Sequence, residues 1–393
     1  VSPTIRRATP ADLPAMFDLD ERAFGFSYGE QGREDTVPTL DLDRFLLAED
    51  DGELVGITGA YGFEVTPPGA KPIATEGVTW VATSATHRRR GVLRALFTEQ
   101  HRGYVAAGVP LSVLTASESG IYGRFGYGAA TVDRRVEITR RRAVVRAGAP
   151  DPGGVRYATG ERFAELAPDL HARWCAVHPG AVSRSAAYWR RHLLDRDQTR
   201  GGASAMFHLV HPDGFASYRV SGDTARVVDH FAVTDAAHAA LWRTLLSLDL
   251  VETVTARTAP DDPLPHLLAD PRQVRAVEAA DGMWARLLDV PAALAARRYA
   301  VEVDAVLEVR DPFLGRGGRF RLAAGPDGAE CAPTDRAADA HLDVDVLGAL
   351  YFGGSRLRGY VAAGRAAVAD ERLLRRLDVA FTADRDPRYG TGF

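Results

Sequence analysis

The stretch Gly77-Val78-Thr79-Trp80-Val81-Ala82-Thr83-Ser84-Ala85-Thr86-His87-Arg88-Arg89-Arg90-Gly91-Val92-Leu93-Arg94-Ala95-Leu96 decides the reading of this chain. Val78, Trp80 and Val81 favour a strand. Thr83, Ser84 and Thr86 suit a turn and could cap the next element. From Val92 to Val105 the apolar residues Leu93, Leu96, Phe97, Tyr104 and Val105 recur near helical spacing. Three arginines and a glycine stand where the helix begins. Such a start exposes unpaired N–H groups and the positive dipole end, so it suits an anion. Gly91 lets the backbone come close to that anion. The plain alternative is a solvated basic helix start on an ordinary α/β unit. No G-x-x-x-x-G-K-[ST] and no G-x-G-x-x-G occurs here, which removes the P-loop and the dinucleotide fingerprint.

What remains is Arg88-x-x-Gly91-x-Leu93 after a V-x-[VT] strand end. This resembles the pyrophosphate loop of the GNAT acetyltransferases, which cradle coenzyme A at this junction; the usual family pattern has Gly or Ala where Leu93 stands. The order of predicted elements agrees. A strand at 3–8 and a helix from Ala11 to Phe24 come first. The polar segment 29–42 reads as a mobile connection. Strands at 44–49 and 53–65 flank Asp51-Gly52, a hairpin turn signal. After the 77–83 strand and the 88–107 helix come a strand to Thr115, a short helix or turn at 117–124, and a strand from Tyr127 to Ile138.

Bulk properties narrow the class. The 393 residues suggest two or three domains at about 150 residues each. A net charge of −4 gives no general field for nucleic acid. The two cysteines, Cys175 and Cys331, form no C-x-x-C pair, which fits a reducing, cytoplasmic setting without a disulfide framework. No apolar run reaches the roughly 18–20 residues of a membrane span. The N-terminus lacks a signal h-region, and the histidines have no metal-ligand spacing.

The segment Ala116-Ser117-Glu118-Ser119-Gly120-Ile121-Tyr122-Gly123-Arg124-Phe125-Gly126-Tyr127-Gly128 alternates glycines and aromatics too tightly for a plain core helix. In a GNAT fold the preceding strand diverges from its neighbour and opens a cleft for the acyl thioester. A tyrosine there can protonate the leaving thiolate, because a phenol of pKa about 10 is neutral at pH 7. Tyr122 is the first candidate and Tyr127 the second.

Residues 141–154 read as a linker. Beyond it, helices at 160–176 and 185–196, a hairpin at 206–220 turning on His211-Pro212-Asp213-Gly214, a strand at 225–233, a helix at 235–247 and a strand at 251–257 repeat the order of the first domain. At the loop position the repeat reads Thr234-Asp235-Ala236-Ala237-His238, without a basic, glycine-bearing turn. It is expected to hold no pyrophosphate. A third part comes next, with strands near 284–289, 301–309 and 319–324 and helices at 291–298, 346–351, 361–366 and 371–381. Residues 382–393 carry no helical pattern and read, on their own, as a frayed tail.

With all three parts in view, the chain resembles the Eis (enhanced intracellular survival) family of N-acetyltransferases. The resemblance rests on Thr86-His87-Arg88-Arg89-Arg90-Gly91, on Ala116-Ser117-Glu118 with the Ile121–Gly128 segment, on Leu209-x-His211-Pro212-Asp213-Gly214, on Asp262-Pro263-Leu264-Pro265-His266-Leu267-Leu268, on Val290-Pro291-Ala292-Ala293-Leu294 and on Leu373-Leu374-Arg375-Arg376-Leu377-Asp378. It implies an α/β (α+β) chain of tandem GNAT folds followed by a sterol-carrier-protein-like domain. The boundaries implied are 1–145 for the acetyl-CoA-binding catalytic domain, 146–285 for the GNAT-like domain without a cofactor site, and 286–393 for the last, whose tail returns to the active site. Family members form hexamers and acetylate amines, including aminoglycosides.

By that resemblance Val81, Ala82 and Thr83 pair with the pantetheine arm. Arg89, Arg90, Gly91, Val92, Leu93 and Arg94 hold the pyrophosphate, and Ser117 and Glu118 close the cofactor site. Tyr122 is the general acid, and the α-carboxylate of Phe393 the general base. A free α-carboxyl titrates near about 3.5, so burial, a water relay or a purely orienting role has to be considered, with a histidine or Glu118 as alternative bases. Gly392 stands where family members with an aminoglycoside pocket carry an acid. Asp20, Glu21 and Asp281 could replace that charge; Asp20, Phe24 and Asp281 are the substrate-binding candidates. The leading expectation is acetyl transfer from acetyl-CoA to a primary amine by direct attack, without a metal. A protein or peptide lysine as acceptor, and a non-catalytic lipid or sterol binder, are the alternatives.

Overall fold

The computed structural model describes residues 3–393. The chain forms two compact units that are discontinuous in sequence: residues up to 130 with 283–383 and 392–393, and residues 131–282 with 384–391.

The first unit begins as the sequence indicates. β1 (Thr4–Arg7) leads through a Thr9/Asp12 capping box into α1 (Leu13–Phe24), which stops at Gly25, held at φ +71°. The first part of the polar segment 29–42 read as a mobile connection is instead helix α2 (Gly29–Thr36). It has no apolar period to betray it; Arg33 ties it to Asp18 and Glu21 of α1 at 2.8 and 2.7 Å. β2 (Leu46–Asp50) and β3 (Glu53–Val65) turn at Asp51-Gly52, both at positive φ (+50° and +80°), the twist that suits a two-residue hairpin. β4 (Ile73–Thr83), α3 (Val92–Ala106), β5 (Leu111–Thr115), α4 (Ser119–Tyr122) and the two-residue β6 (Gly128–Ala129) come after it.

The second unit is built on β7 (Val132–Thr139), β8 (Arg156–Ala158), α5 (Gly160–Cys175), α6 (Ala186–Leu193), β9 (Phe207–His211), β10 (Gly214–Ser221), β11 (Thr224–Ala232), α7 (Asp235–Leu246), β12 (Thr253–Thr258), α8 (Leu264–Leu267) and β13 (Val274–Asp281). Its sheet runs β13-β7-β12-β11-β10-β9-β8. Serine and threonine hydroxyls cap three of its helices: Thr159, Ser185 and Thr234 accept from Arg162, Tyr188 and Ala237.

The strand expected to run unbroken from Tyr127 to Ile138 is therefore two strands. Gly128–Ala129 pairs with β14 (Met283–Leu287) in the first unit, while β7 pairs with β12 and β13 in the second. Alternation of apolar residues cannot reveal such a change of partner. β14 also pairs along β5, so the first sheet runs β1-β2-β3-β4-β5-β14-β6. The first sheet thus needs a strand from more than 150 residues downstream.

After β14 the first unit continues with α9 (Val290–Ala295), β15 (Val303–Arg310), β16 (Gly318–Gly325), β17 (Gly328–Pro333), β18 (Ala340–Asp343), α10 (Val344–Leu350), α11 (Leu357–Ala362), β19 (Ala366–Val368) and α12 (Glu371–Ala380). Strands β17-β16-β15-β18-β19 make a third sheet. Arg297 lies fully buried among its helices. Its guanidinium donates to the carbonyls of Tyr351 and Phe381, where α10 and α12 end, and stacks on Tyr299 with 4.6 Å to the ring centre. Helix C-termini suit a cation, which is how a buried guanidinium is tolerated without a carboxylate.

α10 packs directly on β6 and β14. A Cβ at Gly128 would collide with the Asp345 carbonyl and sit 2.6 Å from the Ala349 nitrogen, both backbone atoms. Gly128→Ala is therefore expected to cost about 1–3 kcal/mol, lowering the thermal midpoint by calorimetry. An unchanged midpoint would mean that the 128 backbone does not bear on α10.

Candidate active site

The site arises from how β4 leaves its neighbours. On the β3 side, Gly59 faces Thr79 and Ile57 faces Ala82, so Thr58 opposes both Trp80 and Val81. This is a β-bulge, with Trp80 at φ +53°. Trp80 is held there by Phe17, Phe45 and Tyr28, with ring centres 5.2–5.9 Å away. On the other side, β4 pairs in parallel with β5 only from Thr75–Leu111 to Val78–Leu114. Val81, Ala82 and Thr83 run on past the last pair, so their β5-facing edge is open. A parallel pair that opens at its carboxyl ends makes a ligand crevice.

Beyond Thr83 the chain makes a single turn at Ala85–His87 and reaches Gly91 at φ +85°. Nothing lies within 4 Å of where a Cβ on Gly91 would be. No side chain caps α3, so the amides of Val92, Leu93 and Arg94 are orphans of the helix start. Arg88, Arg89, Arg90 and Arg94 are exposed around it. Asp50 holds the loop from the side, 3.3 Å from His87 and 3.5 Å from Arg90. An open glycine, uncapped amides and exposed guanidinium groups fit a pyrophosphate. In the second unit the corresponding helix α7 is capped by Thr234 and followed by Asp235, so its start is already satisfied and carries negative charge.

Ser117 and Glu118 are exposed at the end of β5, just before α4. Tyr122, at the end of α4, is 6% exposed and stacks on Phe97. Burial pushes its phenol up to about 12, and the charge of Glu118 adds to the shift. Tyr127 differs. Its hydroxyl contacts His101 Nε2 at 2.8 Å and Ser112 Oγ at 2.7 Å, with no exposed surface. His101 in turn contacts the Phe97 carbonyl at 2.7 Å, and burial pushes it down to about 3. Tyr127 and His101 are thus sealed partners of one another, whereas Tyr122 keeps a small exposed surface.

Phe393 ends in the first unit. Thr115 Oγ1 donates to its backbone oxygen at 2.9 Å, and its ring meets Phe63 edge-on at 4.9 Å. Gly77 makes room: a Cβ there would press into the Phe63 ring and lie 3.1 Å from the Phe393 ring. The last residue therefore sits at the open end of β5.

Of the substrate-binding candidates, Asp20 is buried and accepts from the Tyr28 hydroxyl at 2.9 Å; burial raises its pKa. Phe24 is 47% exposed at the end of α1, beside Phe26 at 45%. Asp281 lies in the second unit, at the end of β13 and in register with Val132. Among the described residues no group of His, Cys, Asp and Glu could hold a metal, and no helix is long and apolar enough to cross a membrane.

Three supporting residues escape sequence reasoning. Thr115 reads as an ordinary strand end. Arg286 and Asp311 lie far from Tyr122 in the chain. Arg286, fully buried on β14, donates to the Phe125 carbonyl at 2.6 Å and to Asp311 at 2.7 Å. Gly126, at φ +82°, fits beneath it; any Cβ there would strike the guanidinium. Phe313, two residues after Asp311, packs on Phe125. The third part of the chain thus holds the turn that carries Tyr122. The only sequence cue was the crowding of glycines around Phe125.

Comparison with known proteins agrees with this geometry. Residues 4–130 match the family described as acetyltransferase (GNAT) domain, residues 180–289 a second family of the same description, and residues 290–389 the sterol carrier protein domain. The chain is 41% identical to N-acetyltransferase Eis of Mycobacterium tuberculosis over 97% of each chain. It belongs to the Eis family of GNAT N-acetyltransferases. An uncharacterized N-acetyltransferase of Streptomyces coelicolor is 40% identical over 95% of each chain. The crystal structure of Eis1 from Mycobacterium abscessus superposes with a TM-score of 0.89 at 33% identity, covering 99% of this chain and all of that one. A GCN5-related N-acetyltransferase from Anabaena variabilis shares the fold, with a TM-score of 0.86 at 20% identity over the whole of both chains. The chain is accordingly an acetyltransferase enzyme, and the GNAT fold implies use of acetyl-CoA.

Asp311→Asn keeps the size of the side chain but weakens the hold on Arg286. It should lower kcat about tenfold or more at unchanged acetyl-CoA affinity, and add little further loss to Tyr122→Phe. Full additivity of the two in a double-mutant cycle would uncouple the pair from Tyr122. Because the Tyr122 phenol is raised to about 12, its proton is retained as pH rises through the ordinary phenol range near 10. The pH profile of kcat should therefore show no alkaline fall assignable to Tyr122 up to about pH 10.5. A fall near pH 9 that disappears in Tyr122→Phe would contradict this.

Proposed function

We propose that this chain transfers the acetyl group of acetyl-CoA to a primary amine within a ternary complex, with aminoglycosides as the best candidate class of acceptor. The observation that carries the reading is the coincidence, around the open end of β4 and β5, of an uncapped basic helix start, a buried phenol held well above its ordinary pKa, and Phe393 bonded by Thr115.

The thioester end of the cofactor would lie along Val81–Thr83, with the pyrophosphate at Arg89–Arg94 and Ser117 and Glu118 closing over it. The amine nitrogen attacks the acetyl carbonyl carbon, and the carbon–sulfur bond breaks. The bulge at Trp80 leaves one residue outside the β3 ladder, which makes its neighbourhood the natural source of an N–H for the oxyanion. Tyr122, protonated throughout the neutral range, gives its proton to the leaving thiolate. The carboxylate of Phe393 accepts the ammonium proton, directly or through a water, or else holds the cationic amine in line. His101 is too deeply sealed to serve instead. Phe24 and Phe26 offer exposed aromatic surface to a cationic acceptor. Asp20, being buried and bonded by Tyr28, would act on that acceptor only after rearrangement.

The alternative of a lipid carrier finds less support, since the Arg297 guanidinium is buried in this part where α10 and α12 end, a poor neighbour for a sterol. Assembly as a hexamer is proposed from the family resemblance, and sedimentation would test it.

Release of free thiol from acetyl-CoA, monitored with a panel of aminoglycosides, simple polyamines and lysine peptides, tests the reaction. Thiol release with aminoglycosides is expected, falling by about 10²–10⁴ in kcat for Tyr122→Phe with cofactor affinity retained. No turnover with any amine would defeat the proposal. A chain extended past Phe393 should be inactive; an active one would remove the terminal carboxylate from the mechanism.

A further inference from the structure

The second unit repeats the architecture of the first, including the feature that opens the cofactor crevice. β11 pairs in parallel with β12 only from Thr224–Thr253 to Arg226–Thr255. Just beyond, Ser217 faces Asp229 and Tyr218 faces Val227, so Val228 is bulged out of the β10 ladder. Parallel pairing succeeded at once by a bulge is what β4 shows at Trp80. The second sheet therefore has the same split, although its helix start cannot receive a pyrophosphate.

That split is filled by the chain's own C-terminal segment. The Arg388 guanidinium bridges the separated strands, donating to the His230 carbonyl of β11 at 2.9 Å and to the Arg257 carbonyl of β12 at 3.3 Å. Its flat face lies against Trp174 and Phe231. The backbone is pinned on the other edge: Arg388 N donates to Pro179 O at 2.9 Å, and Val182 N to Tyr389 O at 3.0 Å. Gly390, at φ +68°, passes so close to Trp174 and Phe231 that a Cβ would lie 2.7 Å from each ring. Arg184, itself paired with buried Asp229, donates to the Gly390 carbonyl at 2.9 Å and to Thr391 Oγ1 at 3.2 Å. Thr391 is completely buried.

We infer that the split of the second GNAT-like sheet is a peptide site whose ligand is the segment Asp384–Thr391, with Arg388 inserted where a GNAT fold inserts its cofactor. Its use is to fix the residues leading to Phe393. Arg388 and Arg184 are then positioning residues for the terminal carboxylate, and the duplicated domain is a holder for the tail. This use, though not the docking itself, rests on the reading of Phe393 proposed above. The chemistry of the site explains its ligand. Carbonyls with no strand partner require donors, and a guanidinium supplies several in one plane. The Trp174 and Phe231 rings wall the path so closely that only a residue without a side chain passes at position 390.

Hydrogen exchange on the full-length protein tests this. In the wild type, the amides of Arg388 and Val182 should be protected, because each donates across the docked segment. Arg388→Met, which keeps the stem, and Gly390→Ala, which obstructs the passage, should each speed exchange of both amides by about tenfold or more. Protection of β10 and β11 should be unchanged. Turnover should fall about tenfold or more while acetyl-CoA affinity is kept. Amides that stay protected in both variants would overturn the docking. Amides that exchange freely at undiminished turnover would overturn the positioning role. A chain extended beyond Phe393 separates this inference from the reading it rests on: it should lose turnover with both amides still protected. If it stays active, the Phe393 reading and the positioning role fall, and the exchange pattern still decides the docking.

Discussion

Everything in the first unit depends on two parallel strands that pair for four residues and then stop. β4 and β5 are joined from Thr75 to Val78, and the bulge at Trp80 turns β4 away just beyond. Strand edges that part leave peptide groups needing partners. One edge presents Val81–Thr83 and the uncapped start of α3. The other presents Thr115, which takes the last residue of the chain. The aromatic packing of Trp80 on Phe17, Phe45 and Tyr28 keeps the bulge in place.

The parts of the chain outside the N-terminal domain work on this opening indirectly. β14 closes the sheet beside β5, and Arg286 on it grips the carbonyl of Phe125, with Asp311 as counterion. A buried ion pair of this kind contributes little net stability, yet breaking one side of it costs about 3–5 kcal/mol. Its value lies in geometry, because it holds the turn that ends α4 and carries Tyr122. The sterol-carrier-like part accordingly behaves as a buttress, with Arg297 tying together the ends of α10 and α12 in its own interior.

Much of this was legible in the sequence, where local chemistry was decisive. Asp51-Gly52 fixed the hairpin, and the Arg88–Leu93 loop identified the helix start. The repeated element order revealed the second GNAT-like unit, and Thr234-Asp235 marked a helix start that its own side chain caps. The features that were not legible depend on pairing at a distance. Tyr127 to Ile138 reads as one strand because alternation carries no information about which sheet accepts each half. α2 has too few apolar residues for a helical period, and its hold comes from Arg33 to acids on another helix. The buried state of Asp20 depends on Tyr28. The tail reads as frayed by composition, and only the family resemblance returned it to the first domain; the partners of Arg388, Tyr389 and Thr391, scattered from residue 133 to 257, trace its path.

One split should bind the acyl cofactor, and its duplicate should not. Calorimetric titration of the full-length protein with acetyl-CoA addresses that most directly. One site per chain is predicted, with its affinity lost when Arg89 and Arg90 are both changed to alanine. Two equivalent sites per chain, or a single site indifferent to those arginines, would contradict it.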